Sequence, residues 1–386
     1  MPTAERGESR QTPRVACRIL DSLRNIDADT WNALAGDHPA LRHEFLYALE
    51  EFGCATELTG WKPVHLALEI DERCVGVMPL YLKFHSYGEY VFDWAWAEAY
   101  RRHGFQYYPK LLCAVPFTPV TGPRVLAPEA AWRRQLVERA VALTDELGAS
   151  SFHCLLPTEE QAGEMRDCGL MQRTQVQFHW YNRGYGDFDA FLACMSHDKR
   201  KKIKQERRKL RDAGIEFVRL EGKQVTPADW AFFAQCYHRT YRAHGSSPYL
   251  NLRFFRALGE RMPDNVLMIV ARAAGAPVAS ALNLIGPDTL YGRYWGAVEY
   301  VPGLHFETCY YQAIEYCIER CVGVFEGGAQ GEHKVARGFE PRRTWSVHRL
   351  EHPEFASAVE DFLRREGEGI EEYIEELGAS SPFKAT

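Results

Sequence analysis

Two nineteen-residue stretches constrain this chain more than any other feature. Val64 to Leu82 reads VHLALEIDERCVGVMPLYL and Val266 to Leu284 reads VLMIVARAAGAPVASALNL. In each, apolar residues alternate and are broken once, at Asp71-Glu72-Arg73 and at Ala274-Gly275. That is the pattern of a β-hairpin. Each hairpin is followed by an aromatic segment expected to be a strand, YVFDWAWAEAY ending at Tyr100 and LYGRYWGAVEY ending at Tyr300. Later in each half a helix-like stretch runs into a glycine and a last strand, CGLMQRTQVQFH (Cys168 to His179) and RGFEPRRTWSVH (Arg337 to His348). A unit this long, occurring twice, is a duplicated domain and not a solenoid repeat. The boundaries expected are 1–180, 181–352 and a tail, 353–386, whose apolar spacing predicts one or two amphipathic helices interrupted near Gly367 and Gly369.

A chain of 386 residues buries enough surface to need no disulfide or metal staple. Its eleven cysteines are scattered without a Cys-x-x-Cys pair, and its first nineteen residues are polar, so the expected setting is a reducing cytosol without a signal peptide. No apolar run approaches the ~18 residues of a membrane span, which leaves peripheral membrane contact. Zinc-like spacings and the serine-hydrolase motif are missing, arguing against metal and acyl-serine chemistry. Cys317 and Cys321 are read as core.

Positive charge is concentrated. DKRKKIKQERRKLR (Asp198 to Arg211) carries a net +7 in a chain of net −6. Ser196 suits the N-cap of this helix and Gly214 its end, while Met195, Ile203 and Leu210 form a narrow seam. Lys199, Arg200, Lys201, Lys202 and Lys204 crowd the N-terminal half, where the helix dipole disfavours cations. An anion-binding surface explains that placement; a solvated helix face is the plain alternative.

VFEGGAQGEHKVARGFEP (Val324 to Pro341) carries the chemistry-bearing residues. A strand ends at Gly327 and Gly328, and Gln330 and Gly331 precede Glu332, His333, Lys334 and Arg337. Backbone amides of such a turn can face an anion, and His333 or Glu332 can act as a base. A tight corner needing positive φ is the other reading. Asp93, Glu326, Arg293 and Tyr294 are further candidates. The aromatic, basic excursion Ala99 to Arg124 contains Lys110; its prolines make it a poor helix or central strand, and a long ordered loop is more often functional than idle.

FEGGAQGEHKVARGFEP, PKLLCAVPFTPVTGPR, LRHEFLYALEEFG with TGWKPVHL, and MSHDKRKKIKQERRKL together resemble the bacterial FemAB-like group of peptidoglycan biosynthesis or recognition, from about Pro39 onward. The resemblance implies an α/β fold of two fused GNAT-type acyltransferase domains with mixed sheets flanked by helices. It implies transfer of an amino acid from aminoacyl-tRNA to a peptidoglycan precursor. Gly327 and Gly328 match the family's glycine pair, and the helix Lys199 to Arg211 its basic start to the second domain. The group offers no mapped catalytic residues, and the acetyl-CoA pyrophosphate loop is missing from YVPGLHFE (Tyr300 to Glu307).

The expectation is an amide-forming transferase with its substrates between the halves. Glu332 or His333 is the base, and Lys334 and Arg337 stabilise charge. The 199–204 cluster clamps a nucleic-acid or pyrophosphate backbone. Gly327, Gly328, Gln330, Gly331, Arg293, Tyr294 and Lys110 contact substrate. The donor is aminoacyl-tRNA or acyl-CoA, with no bound cofactor, and the acceptor is anionic or pyrophosphate-containing. Carrier-dependent N-acylation and non-catalytic binding of a precursor or nucleic acid are the rivals.

Overall fold

The computed structural model describes residues 14–328 and 331–384. Its strands are β1 (Val15–Leu20), β2 (Trp61–Pro63), β3 (His65–Ile70), β4 (Arg73–Met78), β5 (Leu80–Lys83), β6 (Lys110–Cys113), β7 (Ser151–Leu155) and β8 (Met171–Tyr181), then β9 (Ile215–Glu221), β10 (Val266–Ala273), β11 (Ala276–Ile285), β12 (Thr289–Ala297), β13 (Val324–Glu326) and β14 (Glu340–Leu350). Eleven join one mixed sheet in the order β2-β5-β6-β7-β14-β8-β13-β12-β11-β10-β9, and β1-β3-β4 form a smaller one.

The duplication is written into this order. The parallel neighbours in the large sheet are β6 with β7 and β12 with β13, one pair in each half. Both predicted hairpins form, β3 with β4 and β10 with β11. Their turn residues Asp71, Glu72, Ala274 and Gly275 all take positive φ, the geometry that matches strand twist in two-residue turns. The hairpins differ at Pro79. With no N–H to donate, it divides β4, which stays with β3, from β5, which enters the large sheet. Gly169 (φ +87°) and Gly338 (φ +88°) open β8 and β14 at equivalent places.

The two halves exchange their last strands. β14 lies between β7 and β8, and β8 pairs with β13 of the second half. β8 and β14 run antiparallel from Glu340 opposite His179 to His348 opposite Met171. The apolar core also crosses, with Phe45 meeting Phe254 edge to face at 5.5 Å.

Four expectations fail. Val91 to Tyr100 is not a strand: Trp94–Arg102 is a helix whose Trp96 and Tyr100, one turn apart, bury one face. Its expected place in the sheet belongs to β6, inside the stretch judged a poor central strand. Pro109 lies just outside β6, so no ladder donor is lost, and Leu111, Leu112 and Cys113 are fully buried. The C-terminal helix Pro353–Ala379 runs unbroken through Gly367 and Gly369. It is held to the sheet by Arg173 on Glu366 at 2.7 Å and by Arg343 on Glu371. Of the two cysteines read as core, Cys317 is buried and Cys321 exposed.

Gly338 has no room for a side chain. A Cβ there would lie 2.8 Å from Phe191, whereas at Gly169 it would meet nothing. Gly169→Ala is expected to cost about 1 kcal/mol of backbone strain and Gly338→Ala about 3 kcal/mol, strain plus overpacking, measured by urea unfolding.

Candidate active site

β12 and β13 part company early. Their pairing covers Thr289 to Tyr291 against Val324 to Glu326, where β13 ends while β12 continues to Ala297. On the β11 side, Leu282 faces Tyr294 and Asn283 faces Gly292, so Arg293 is the extra residue of a β-bulge. A bulge sets strand groups out of the ladder. From Gly292 onward the edge of β12 that faced β13 has no strand partner among the described residues, and the Trp295 carbonyl of this stretch accepts from the Thr240 hydroxyl at 2.9 Å.

The first half closes over this edge with the loop that follows β6. The Phe117 carbonyl accepts from Arg293 Nη2 at 3.0 Å and from the Tyr294 hydroxyl at 2.6 Å. Phe117 takes φ +59° and stacks on Tyr249 at 4.9 Å. Gly88 is required beneath it, since a Cβ there would sit 2.6 Å from the Phe117 ring and φ is +81°. Four residues on, the Thr121 hydroxyl bonds to the buried Glu326 carboxylate, whose pKa burial raises to about 7.

Three cavities meet at Trp295. One, about 520 Å³, lies between the halves, with Tyr87, Tyr90, Phe92 and Trp94 from the first and Tyr241, Arg293 and Tyr294 from the second. The second, about 680 Å³, borders Arg239, Arg242 and the turn from Val298 to Phe306. The third, about 100 Å³, runs into the β12–β13 crevice beside His305, Cys309, Tyr310, Gly327 and Gly328. Cys309 and Tyr310 sit in a π-helical turn, Glu307–Tyr311, of the helix that follows the second cavity. Such turns are frequent at functional sites.

The glycine turn has two different reasons for its glycines. A Cβ on Gly327 would strike Phe339 at 2.6 Å; Gly328 (φ +87°) has space but needs the left-handed backbone and borders two cavities. Gln330 lies outside the described residues. After Gly331 a short 3-10 helix, Glu332–Arg337, turns its residues apart. Glu332 is exposed and accepts from Tyr373 of the C-terminal helix at 2.7 Å. His333 faces the other way, its Nε2 3.1 Å from the Tyr310 hydroxyl. Lys334 is buried, donates to the Gly328 carbonyl at 3.0 Å, and has its pKa lowered to about 8 by burial. Arg337 stacks on Phe306 at 3.4 Å and reaches Glu206 at 3.3 Å.

Glu206 belongs to the basic helix, His197–Asp212, which Arg207 also ties down through Glu307 and Glu315. Lys201, Lys202 and Lys204 are exposed, Lys199 and Arg200 half-buried, and Lys204 pairs with Asp189 at 2.7 Å. The cluster borders none of the three cavities. Lys110 is fully buried behind the aromatic wall. It donates to Ser86 at 2.9 Å, to Glu89 at 2.8 Å and to Asp93, which receives Tyr107 at 2.7 Å. A buried chain continues from Tyr107 to His153 and across to His348, Nδ1 to Nδ1 at 2.7 Å. Lys110 thus fixes the segment 86–93 and borders none of the three cavities.

Burial, with the nearby His333, Lys334 and Arg337, lowers the His305 pKa to about 4; burial and the same two cations lower that of His333. Both are neutral at pH 7. Burial raises the Tyr310 pKa far above neutrality, so its proton stays on. His305 and Tyr310 had no signal in the sequence beyond their place after a late strand. No group of three or more His, Cys, Asp or Glu among the described residues could hold a metal, and no helix among them is long and apolar enough to cross a membrane.

Bulged strand, parted parallel neighbours and twofold repeat define a tandem GNAT-type fold of mixed sheets flanked by helices. The chain belongs to the FemAB-like family, described as peptidoglycan biosynthesis/recognition, whose model matches residues 22–385. None of the curated proteins matches it. Among solved structures it is similar to the C-terminal domain of a protein described as a lysylphosphatidylglycerol synthetase from Agrobacterium fabrum, with TM-score 0.54, 11% identity, and 88% of this chain and 96% of that one covered. It is similar to FemX at 0.53 and 10%, covering 87% and 99%. It is also similar to L-PGS from Bacillus licheniformis at 0.51 and 8%, covering 88% and 97%. These likenesses establish the shared fold.

The Lys110 network yields a pH prediction. Removing the ammonium leaves Glu89 with Lys83 at 3.9 Å and Asp93 with the Tyr107 hydroxyl, at a cost of about 3–5 kcal/mol. Glu89, raised to about 7 chiefly by burial, holds its proton in the folded state below that pH and loses it as pH rises through 7, so its contribution falls over that interval. Lys110→Met is therefore expected to destabilise strongly at pH 8 and less at pH 5, by urea unfolding at both.

Proposed function

We propose that this protein is an amide-forming acyl or aminoacyl transferase of the cell-wall-related FemAB type. The chain divides into acyltransferase-like units 1–180 and 181–352 and a helical tail, 353–386, with the reaction in the second unit. The observation that carries this reading is the unpartnered edge of bulged β12, open to a cavity walled by both halves. A donor ester carbonyl accepts from peptide N–H groups on that edge, which stabilise the oxyanion as charge develops. The acceptor amine enters between the halves and is held beside it.

The amine nitrogen attacks the carbonyl carbon, the new C–N bond forms, and the C–O bond to the carrier breaks, the carrier oxygen taking up a proton from solvent as it leaves. The proton lost by the amine passes to the Tyr310 oxygen as the Tyr310 proton moves to His333 Nε2. His333 is exposed enough to return it to solvent. Neutral His333 and un-ionised Tyr310 support this order, and Glu332, turned to Tyr373, takes no part. Gly328 lets the backbone approach, Lys334 holds its carbonyl, and Arg337 braces the turn against the basic helix.

An aminoacyl-tRNA donor accords with the family and with the exposed cations at 199–204. A second reading, CoA- or carrier-protein-dependent acylation, is favoured by the cavity beside Gly303 to Phe306, where Arg239 and Arg242 suit a phosphate-bearing carrier. Incubation with charged tRNA, acyl-CoA and precursor pools, followed by mass spectrometry for new amides, tests both. No new amide with any donor would leave a binding protein.

Once a turnover assay exists, His333→Ala and Tyr310→Phe are expected to lower kcat by about 10²- to 10⁴-fold with smaller effects on KM, and Glu332→Gln to stay within about threefold. Changing Lys199, Arg200, Lys201 and Lys202 together to Glu should abolish salt-dependent tRNA binding while leaving stability within about 0.5 kcal/mol per site, by filter binding and thermal unfolding.

A further inference from the structure

The walls of the inter-half cavity do not end at the protein surface. Tyr87 is 56% exposed, Phe92 51% and Trp94 41%, although all three border that cavity. Tyr87 and Trp94 meet edge to face at 5.0 Å, so the rim is an ordered aromatic group. Tyr300, 92% exposed, stands on the turn beside the adjoining cavity. Large aromatic side chains at two adjoining openings and left in water mark an interaction surface.

The charge around them is one-sided. Among the described residues no carboxylate borders the inter-half cavity, and the one guanidinium there is Arg293. Next to it Arg239 and Arg242, three apart on the helix Pro227–Ala243, share a face with exposed His244 nearby, and neither arginine forms an ion pair among the described residues. Glu299 is the carboxylate there. In a chain of net −6 this local excess is directional.

We infer that the aromatic rim of Tyr87, Phe92, Trp94 and Tyr300, with Arg239 and Arg242, docks on the headgroup region of an anionic lipid bilayer. Tryptophan and tyrosine favour that zone because an apolar body and a polar edge are satisfied together. Basic residues beside them gain from anionic headgroups. The cavity mouth then opens onto the bilayer surface, and a substrate borne on a lipid reaches β12 without leaving it. The contact is peripheral, consistent with the absence of a spanning helix among the described residues.

The test uses vesicles and no donor or acceptor, so its outcome is independent of the proposed chemistry. The full chain is sedimented with vesicles of phosphatidylcholine alone and with phosphatidylglycerol added, at low and high salt. Binding on the order of tenfold stronger to the anionic vesicles, weakened by salt, is expected. Phe92→Ser with Trp94→Ser, and separately Arg239→Glu with Arg242→Glu, should each reduce it about tenfold at unchanged melting temperature. A variant that fails to fold is replaced by Trp94→Phe, read by loss of fluorescence quenching from bromine-labelled lipid. Equal recovery with both vesicle types, or variants that bind as the parent does, overturns the inference. So does a dimer that the rim variants dissolve in the absence of any vesicle binding, which assigns the rim to a second copy of the chain.

Discussion

The exchange of β8 and β14 is the constraint on which the rest of the molecule depends. Each terminal strand completes the other half's sheet, so neither half has all its backbone partners without the other. The cost of leaving strand groups unpaired in a buried sheet makes the exchange cooperative. It also sets the distance between halves. The loop after β6 can reach β12, and Phe117 can take hydrogen bonds from Arg293 and Tyr294, because the sheet between them is continuous.

Duplication has not produced two equal sites. In the second half β12 outruns β13 and bulges at Arg293, leaving an open edge. In the first, β6 is four residues long and stops with its parallel partner β7. Where a crevice would begin, the chain leaves as the 114–123 loop, and behind it Lys110, Glu89, Asp93, His153 and His348 fill the interior with a hydrogen-bonded polar network. One unit therefore carries an accessible edge and the other supplies a wall. A buried network of that kind fixes geometry more than it adds stability, because desolvation offsets much of its attraction. Its visible effect is to fix the segment that presents Tyr87, Phe92 and Trp94.

Burial also sorts the titratable groups around the crevice. Histidines close to Lys334 and Arg337 are kept neutral, tyrosines keep their protons, and a lysine is pulled toward neutrality. Neutral acceptors beside un-ionised hydroxyls are what proton transfer at pH 7 needs. The glycine turn brings a packed residue, Gly327, and a left-handed one, Gly328, to the end of β13.

Much of the architecture was legible in the sequence because it is carried by local periodicity. Two hairpins with positive-φ turns, last strands entered through Gly169 and Gly338, and a basic helix seamed by Ile203 and Leu210 each follow from residue spacing that neighbouring residues enforce. The failures arose where long-range packing outweighs local preference. Trp94–Arg102 has the aromatic content of a strand and is a helix because Trp96 and Tyr100 need one buried face, while Lys110–Cys113, hemmed by prolines, is drawn into the centre of the sheet by three fully buried side chains. The site divides in the same way. The sequence by itself brought His333, Arg293, Tyr294 and Gly328 into view as candidates. Tertiary structure alone decided that Glu332 turns to Tyr373, that Lys110 braces a wall, and that Tyr310, from a helix with no motif, stands between His333 and the crevice. Those facts depend on residues 17 to 41 positions apart in the chain, which only packing brings within hydrogen-bonding reach.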